Sequence, residues 1–336
     1  MSNFSSLKEG QKKAWLVTGC AGFIGSNLLE ALLKNDQVVI GLDNFSTGKK
    51  NNIEDILAFL TEEQIKNFTF VEGDIRDNKL CHEVTKNVDY VLHQAALGSV
   101  PRSLKDPITT NEVNVSGFLN VLSASQENKV SRFVYASSSA VYGDSRALPK
   151  SENKIGKPLS PYAVSKRTNE LYGEVFSRCY SMPTFGLRYF NVFGPRQDPE
   201  SVYAAVIPLW IMALLRDQPC YINGDGSHSR DFCYVNNVVE ANIKAALTQN
   251  PQTYGQVFNI AFGKQTTLQE LYSLTKEHIG PVKELQPIYR EERPGDVKHS
   301  LANIDQAKTL LGYDPKYSFE EGLRLTVEWF KEKNKA

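Results

Sequence analysis

A glycine-rich loop near the start of the chain narrows the choice of folds more than any other segment. It follows the strand-forming run Ala14–Thr18 and precedes an amphipathic helix predicted at residues 26–34. Its glycines, Gly19, Gly22 and Gly25, have the spacing GxxGxxG. In such a unit the first glycine permits a tight turn, the second lets the backbone approach a pyrophosphate, and the third allows close packing. The pattern predicts a dinucleotide-binding βαβ unit.

A second apolar run strengthens this interpretation. Residues 38–42 have the composition of a buried strand and end in Asp43, 18 residues after Gly25. A carboxylate at this place can accept hydrogen bonds from both ribose hydroxyls of an adenosine, and it would repel a 2′-phosphate. The sequence therefore predicts NAD rather than NADP. The alternative is a loop aspartate that only caps the next segment.

Further apolar runs alternate with helical patterns. They predict strands at residues 68–71, 89–92, 132–136 and 183–188. Two long helices are predicted at residues 111–128 and 162–179. Six strands that alternate with helices and are joined by right-handed crossovers form a doubly wound parallel sheet, the Rossmann architecture of the α/β class.

After Tyr189 the pattern changes to shorter elements. A short strand is predicted to begin at residues 230–232, with helices at 204–215, 238–247, 268–278, 305–311 and 319–331. We expect residues 1–189, with 232–262 returning to them, to form an NAD-binding domain. Residues 190–231 and 263–336 should form a smaller α/β C-terminal domain that closes over the edge of the sheet and covers a ligand.

Charge and cysteine content exclude several other classes of protein. Lys+Arg and Asp+Glu balance at 38 each, so no overall field draws the chain to nucleic acid or to an anionic membrane. The five cysteines include no CxxC pair, which is typical of reduced thiols rather than of disulfides or a zinc site. No apolar run reaches the roughly 18 residues that span a bilayer, and residues 1–13 contain no apolar signal core. We expect a cytoplasmic protein.

The chemistry is predicted to centre on Tyr162 and Lys166. Residues four apart lie on one face of a helix, one turn from each other. An ammonium beside a phenol favours the phenolate and lowers its pKa from about 10 towards neutrality, which makes Tyr162 a candidate base for a hydroxyl proton. Ser137, Ser138 and Ser139 follow the predicted fifth strand, at the edge where open α/β sheets bind ligands.

Two other polar residues are interpreted as structural. His93 follows the predicted fourth strand, and no second metal-binding residue stands at a useful spacing from it. Asn114 interrupts the apolar stripe of the helix predicted at residues 111–128, so it can tie that helix to the sheet by hydrogen bonds; a solvated asparagine is the alternative.

Together these motifs resemble the extended short-chain dehydrogenase/reductases. The glycine loop, the serine run before Tyr142 and Gly143, and the Tyr-x-x-x-Lys pair carry the resemblance, which spans residues 14 to about 330. Within that family the chain is similar to the nucleotide-sugar 4-epimerases, judged by the segments RYFNVFGP at 188–195, RDF at 230–232 and RPGD at 293–296. It looks most like the bacterial enzymes that act on UDP-N-acetylglucosamine (UDP-GlcNAc) and UDP-N-acetylgalactosamine (UDP-GalNAc).

The resemblance implies a set of residues for each ligand. The residues that would hold NAD are Gly19, Gly22, Phe23, Ile24, Gly25, Asp43, Asn44, Ser46, Thr47, Gly48, Asp74, Ile75, Gln94, Ala95, Ala96, Asn114, Tyr162, Lys166 and Tyr189. Those that would hold the UDP-sugar are Gly98, Ser99, Ser103, Ser138, Ser139, Asn191, Gln197, Tyr221, Asn223, Arg230, Arg293, Asp296 and Ser300. The catalytic residues would be Ser138, Tyr162 and Lys166, and no metal is implied.

The resemblance also implies individual roles for these residues. Lys166 would hydrogen-bond the nicotinamide ribose, and Ser138 or Ser139 would hold the sugar 4-hydroxyl, with the spacing to Tyr142 favouring Ser138. The diphosphate would be held by Asn191, Arg230 and Arg293. The uridine would be held by Tyr221, Asn223 and Asp296.

By the same resemblance, Tyr162 takes the proton of the 4-hydroxyl while hydride leaves C4 for NAD. The 4-keto sugar then turns over in the site and hydride returns to the opposite face. Tightly bound NAD is expected, as is a homodimer formed through the two long helices.

Two departures from related enzymes bear on the reaction and substrate. Ser139 and Ala140 stand where 4,6-dehydratases and decarboxylases place an acid, so those reactions are the less favoured alternative. Ser300 stands where a tyrosine would exclude an N-acetyl group, which predicts N-acetylated substrates. A UDP-glucuronate or N-acetylhexosaminuronate 4-epimerase stays open because Arg102 can meet a carboxylate. A redox-sensing binding module should lack Tyr162 or Lys166.

Overall fold

A seven-stranded parallel sheet forms the centre of the protein. The structure is a computed structural model that describes residue 7 and residues 12–201, 204–281, 285–292 and 298–335. Its strands are β1 Ala14–Thr18, β2 Val38–Asp43, β3 Phe68–Glu72, β4 Tyr90–His93, β5 Arg132–Ser138, β6 Thr184–Tyr189, β7 Val192–Phe193, β8 Tyr221–Asn223, β9 Ser229–Arg230, β10 Cys233–Tyr234, β11 Gln256–Ile260, β12 Thr266–Thr267 and β13 Ile288–Arg290. The central sheet has the order β11-β6-β5-β4-β1-β2-β3, and all its pairs are parallel. The predicted doubly wound sheet is confirmed.

The order of these strands reverses between β1 and β4. In open α/β sheets, ligands bind beyond the carboxyl ends of the strands at such a reversal. The loops that follow β1 and β4, which carry the glycine motif and residues 94–98, therefore meet at the expected binding edge.

The sequence prediction missed the seventh strand of this sheet. β11 pairs in parallel with β6 and extends the sheet beyond the six strands predicted. It is only five residues long and contains the polar Asn259. Asn259 is buried all the same, because its amide donates to the carbonyls of Lys150 and Asn303 and its side-chain oxygen accepts from the Tyr142 hydroxyl. The strand predicted to begin at 230–232 was placed slightly late, since β9 ends at Arg230.

Helices cover both faces of the sheet and form most of the smaller C-terminal part. They are α1 Phe23–Lys34, α2 Lys50–Leu57, α3 Glu62–Ile65, α4 Asn78–Val84, α5 Val100–Lys105, α6 Pro107–Asn111, α7 Phe118–Glu127, α8 Pro161–Tyr180, α9 Val206–Leu215, α10 Val235–Leu247, α11 Leu268–Ile279, α12 Asp305–Leu311 and α13 Phe319–Lys335. Among the helices described, none is both long and apolar enough to cross a membrane.

The helix predicted at residues 111–128 is not a regular α-helix. A π-helical turn, Glu112–Gly117, joins α6 to α7. Asn114 lies in this turn, where its side chain accepts from the backbone N–H of Leu97 (2.8 Å) and donates to the Leu97 carbonyl (3.1 Å) and to Ser165 Oγ (3.2 Å). A π turn often marks a functional region. Here it lets one asparagine fix the loop after β4 against α8.

A second apolar cluster lies outside the sheet, in the C-terminal part. It joins α9, α11 and α13 around Ile211, Leu271 and Leu323, all fully buried. The segment from Ala302 to Tyr313, by contrast, packs into the core of the sheet. The division into two domains remains a prediction.

Candidate active site

The glycine loop has the geometry that its spacing predicts. Gly19 has a φ of +70°, and its N–H donates to the Leu42 carbonyl at 2.8 Å. A Cβ on Gly25 would lie 2.0 Å from the Gly19 carbonyl oxygen, so only glycine allows α1 to pack this close to the loop. The N-terminus of α1 therefore opens into a cleft at the binding edge, where its free N–H groups favour an anion.

This cofactor cleft has a volume of about 290 Å³. All the residues predicted to hold NAD line it except Gly48 and Asn114. A Cβ on Gly48 would lie 2.9 Å from Asp43 Oδ1, so this glycine allows its loop to pack against the carboxylate. The lining residues that were not predicted to hold NAD are Leu42, Gly73, Leu97, Gly98, Val113, Ala136 and Ser137.

Two carboxylates stand at one end of the cofactor cleft. Asp43 Oδ2 accepts from the backbone N–H of Ala21 (2.9 Å) and Oδ1 from that of Phe45 (2.8 Å), and burial raises the pKa of Asp43. Asp74 is bound by Arg76 and Asn44, and hydrogen bonds from Arg76 lower the pKa of Asp74 to about 2. Four hydrogen bonds from Arg76 and Asn44 occupy the acceptor positions of Asp74, whereas Asp43 keeps a free acceptor position. The acidic Asp43 end and the open helix N-terminus fit the ribose and the pyrophosphate of NAD.

Helix α8 presents three reactive side chains to three consecutive residues of β5. Tyr162 lies close enough to Ser138 for the serine side chain to favour the phenolate of Tyr162. Lys166 Nζ donates to the carbonyl of Ala136 at 2.9 Å, and Glu170 Oε1 accepts from the hydroxyl of Ser137 at 2.6 Å. Because residues 162, 166 and 170 lie one turn apart on the same helical face, the register of the helix on the strand fixes all three contacts together.

Burial dominates the protonation of this face. Burial raises the pKa of Tyr162, and the Ser138 side chain only partly opposes it. The expectation that Lys166 by itself depresses the pKa of Tyr162 was therefore wrong, because sequence spacing does not reveal how deeply a phenol is buried. Burial also lowers the pKa of Lys166 to about 8, which leaves the ammonium charged at neutral pH.

His93 is buried beneath this face as an uncharged group. Its Nδ1 lies 3.0 Å from the Thr18 hydroxyl, and its ring stacks on Phe133. Burial, together with the charge of Lys166, lowers the pKa of His93 to about 3. These contacts agree with a structural role.

A buried ion pair that the sequence analysis missed locks α8 to the sheet. Arg188 donates Nε to Glu170 Oε1 (2.8 Å) and Nη2 to Oε2 (2.9 Å), and both side chains are 1% exposed. Arg188 Nη1 also donates to the Tyr142 hydroxyl and to the Glu152 carbonyl. The half-buried Arg167 is a second partner of Glu170. This network connects α8 with β5, β6 and the loop that precedes α8.

A second cleft of about 360 Å³, which we call the sugar cleft, meets the cofactor cleft at Tyr162. Of the residues predicted to hold the UDP-sugar, those that line it are Ser138, Ser139, Asn191, Arg230 and Ser300. The lining residues that were not predicted to hold the UDP-sugar are Val100, Ala140, Tyr142, Gly143, Lys150, Leu159, Ser160, Ala163 and Phe190. Tyr162 is shared by the two clefts, so one phenol borders both of them.

The remaining predicted substrate residues lie elsewhere. Gly98 lines the cofactor cleft. Ser99 and Ser103 are occupied in α5, where Ser99 Oγ accepts from Arg102 N and Ser103 donates to the Val100 carbonyl. The predicted residues that line neither cleft are Ser99, Ser103, Gln197, Tyr221 and Asn223, and Arg102 is likewise absent from both linings.

Tyr221 nevertheless makes a well-defined contact with a neighbouring strand. The guanidinium of Arg290 lies 3.4 Å from the centre of its ring, a cation–π contact between the paired strands β8 and β13. Arg293 and Asp296 fall outside the described residues, and their predicted roles remain predictions.

The chain is similar to proteins of one family over nearly its full length. The model of the "NAD dependent epimerase/dehydratase family" matches residues 15–261. A putative UDP-glucose 4-epimerase of Methanocaldococcus jannaschii is 39% identical over 323 residues, which is 96% of this chain and 99% of that protein.

Two solved structures are similar in fold as well as in sequence. One is the UDP-N-acetylglucosamine 4-epimerase of Methanobrevibacter ruminantium in complex with UDP-N-acetylmuramic acid (TM-score 0.88, 39% identity, 96% of this chain and 100% of that chain). Another is the UDP-glucuronic acid 4-epimerase of Bacillus cereus in complex with UDP-glucuronic acid and NAD (TM-score 0.83, 33% identity, 95% of this chain and 99% of that chain).

Proposed function

Because this chain belongs to the NAD dependent epimerase/dehydratase family, we propose that it is a UDP-sugar 4-epimerase and that it interconverts UDP-GlcNAc and UDP-GalNAc. Its cofactor is NAD. The observation that carries the proposal is the position of Tyr162, a buried phenol that borders both the cofactor cleft and the sugar cleft. A group in that position can act on a sugar hydroxyl whose carbon faces the dinucleotide.

When bound, NAD supplies the chemistry of accepting a hydride from C4 of the sugar and returning it to either face. The residues of this chain manage the accompanying proton. Ser138 holds the 4-hydroxyl by a hydrogen bond, and Tyr162 removes the proton of that hydroxyl and later restores it. Lys166, fixed to the carbonyl of Ala136, keeps a positive charge beside them.

The charge state of Tyr162 links catalysis to the loaded enzyme. In the protein alone burial keeps the phenol protonated at neutral pH. An added positive charge in the adjoining cleft favours the phenolate, in the same direction as the ammonium of Lys166. Tyr162 is therefore expected to become an effective base only when the cofactor cleft holds an oxidised dinucleotide.

The lining of the sugar cleft favours epimerisation over elimination. Ser139 and Ala140 follow Ser138 in this wall, and no aspartate or glutamate belongs to the described lining. A dehydratase needs an acid to protonate its leaving hydroxyl. Without one, the return of the hydride is the favoured route for the 4-keto sugar.

Ser300 supports an N-acetylated substrate. It lies in the wall of the sugar cleft, where its small side chain leaves space beside the sugar. Its backbone N–H donates to the Ser229 carbonyl at 3.1 Å, which fixes the wall at this point. We expect UDP-GalNAc to be turned over with a higher kcat/KM than UDP-galactose.

The same proposal includes a homodimer. Helix α8 carries an exposed apolar stripe of Val164, Leu171 and Val175, and the helices α5 and α6 packed beside it add Leu104 and Ile108. These side chains are 38–70% exposed, and an apolar face of this kind is typical of a protein interface. A second copy of the chain would bury the stripe, and light scattering on the purified protein tests this.

A single assay tests the main proposal. The purified protein, with no added NAD, is incubated with UDP-GlcNAc, and the nucleotide-sugars are separated by chromatography. We expect UDP-GalNAc to accumulate until equilibrium, and Tyr162→Phe to abolish this while keeping bound NAD. Conversion by Tyr162→Phe at more than a few per cent of the wild-type rate would contradict the role of the phenol.

A further inference from the structure

Lys150 is a buried cation in the wall of the sugar cleft, and the chemistry above gives it no task. It lies in the loop before α8 and is 7% exposed. Its Nζ donates to the carbonyl of Ser145. Across the described parts of the chain, no carboxylate is paired with it.

A buried ammonium without a counter-charge lowers the stability of a protein. An ammonium carries a full charge and three donors, and burying it without a counter-charge is unfavourable. Burial accordingly lowers the pKa of Lys150. The Ser145 carbonyl takes one of the three donors, so a ligand in the cleft can accept the others.

The backbone holds Lys150 at a fixed place along the wall. The N–H of Lys150 donates to the Leu301 carbonyl at 2.8 Å, and Asn303 N–H donates to the Lys150 carbonyl at 2.9 Å. Bridges between strand segments pair Ser229 with His299 and Lys150 with Ala302. The three steps from residue 299 to 302 span at most about 11 Å. The wall at Ser300 therefore has the strand of Arg230 at one end and Lys150 at the other.

These two residues are the only charged side chains among the described lining of the sugar cleft. Arg230 belongs to the end proposed for the diphosphate. Lys150 therefore makes the sugar end positive, and a neutral hexosamine has nothing to match that charge. A carboxylate on the sugar would supply the missing partner through a charge-assisted hydrogen bond.

The geometry of epimerisation brings such a carboxylate to this wall. To offer both faces of C4 to one fixed dinucleotide, the ring turns about the axis through C1 and C4. That turn exchanges the side that bears C2 with the side that bears C6. The wall beside the 2-substituent in one pose therefore faces C6 in the other pose.

We propose that Lys150 binds the C6 carboxylate of a hexuronic acid, so that this enzyme epimerises UDP-N-acetylhexosaminuronic acids as well as UDP-N-acetylhexosamines. The assignment rests on the proposed 4-epimerase function and adds a substrate class to it. It makes Lys150, and not Arg102, the residue that recognises the acid.

The test compares kcat/KM for UDP-N-acetylglucosaminuronic acid with kcat/KM for UDP-GlcNAc in the NAD-loaded protein. The variants are Lys150→Met and Lys150→Gln. The second keeps a donor for the Ser145 carbonyl in case the first does not fold. Lys154→Met is the control, because Lys154 is an exposed lysine of the same loop. Any loss that both substrates share cancels in the ratio of the two constants.

We expect the acid-to-neutral ratio to fall tenfold or more in both Lys150 variants, about 1.4 kcal/mol, and to stay unchanged in Lys154→Met. A smaller fall in the soluble variants would overturn the assignment and leave Lys150 as a support of its loop. A wild-type enzyme that converts UDP-GlcNAc but not the uronic acid would overturn it while preserving the proposed function. A wild type that converts neither would refute both.

Discussion

Removing one partner of the buried pair Glu170–Arg188 should weaken the fold and the reaction together. Both side chains are 1% exposed, and two hydrogen bonds of 2.8 and 2.9 Å join them. Loss of one partner from such a pair leaves a buried charge without compensation, which typically lowers the free energy of unfolding by about 3–5 kcal/mol. We expect losses of this size in Glu170→Gln and in Arg188→Met.

The double variant separates the pair from its surroundings. Because Glu170→Gln with Arg188→Met leaves no unpaired charge between these two positions, its loss should be smaller than the sum of the single losses by about 2 kcal/mol or more. Arg167→Met removes only the half-buried partner of Glu170 and should lower stability by less than about 1 kcal/mol.

The assay is urea unfolding of the NAD-loaded protein at one fixed NAD concentration, since bound ligand adds its own stabilisation. Turnover is measured on the same samples. Glu170 accepts a hydrogen bond from Ser137, the neighbour of Ser138. Loss of Glu170 should therefore shift Ser138 and lower kcat by roughly 10–100-fold with NAD still bound. Strictly additive stability losses, or a full kcat in Glu170→Gln, would refute the inference that this pair locks α8 to the sheet and so positions Ser138.

Three shorter predictions concern the site itself. Tyr162→Phe should keep its fold and its NAD and retain less than a few per cent of kcat, as judged by spectra of the bound dinucleotide and by product formation. Ser300→Tyr should fill the space beside the sugar and lower kcat/KM for UDP-GalNAc at least tenfold relative to kcat/KM for UDP-galactose. An unchanged ratio of these two constants would show that Ser300 has no steric role. Burial lowers the pKa of Lys166 to about 8, below its unfolded value of about 10.4. Turnover should therefore decline as the pH rises through about 8, whereas the contribution of Lys166 to stability should increase between about 8 and 10.4, where the unfolded chain binds the extra proton; a rate that stays level to pH 10 would contradict this.

The parts of the molecule predicted from the sequence are those encoded by neighbouring residues. The local spacing of Gly19, Gly25 and Asp43 is enough to predict the tight turn, the close helix packing and the carboxylate at the end of β2. The apolar runs predict the bounds of six central strands to within about two residues. β11 was not predicted because a five-residue strand with a buried asparagine depends for its stability on carbonyl partners that are distant in the sequence. The π turn at Glu112–Gly117 likewise has no local sequence pattern to predict it.

The candidate site shows the same division between local and long-range information. Spacing placed Tyr162 and Lys166 on one helical face, but the direction of the Tyr162 pKa shift follows from burial, which tertiary packing decides. Glu170 and Arg188 meet only once α8 lies on β6. Lys150 stands in a loop with no motif of its own, and its backbone is fixed only when the segment that follows Ser300 folds beside it.

Matching one helical face to three successive residues of β5 has a consequence for how such an enzyme can diversify. The phenol, the ammonium and the carboxylate cannot be adjusted one at a time, since a slip of the helix would displace all of them from their partners at once. Ser300 and Lys150 lie on other segments and are free of that constraint. Under the proposed function, the sugar preference can therefore change by mutation of Ser300 or Lys150 without disturbing the contacts that α8 makes with β5.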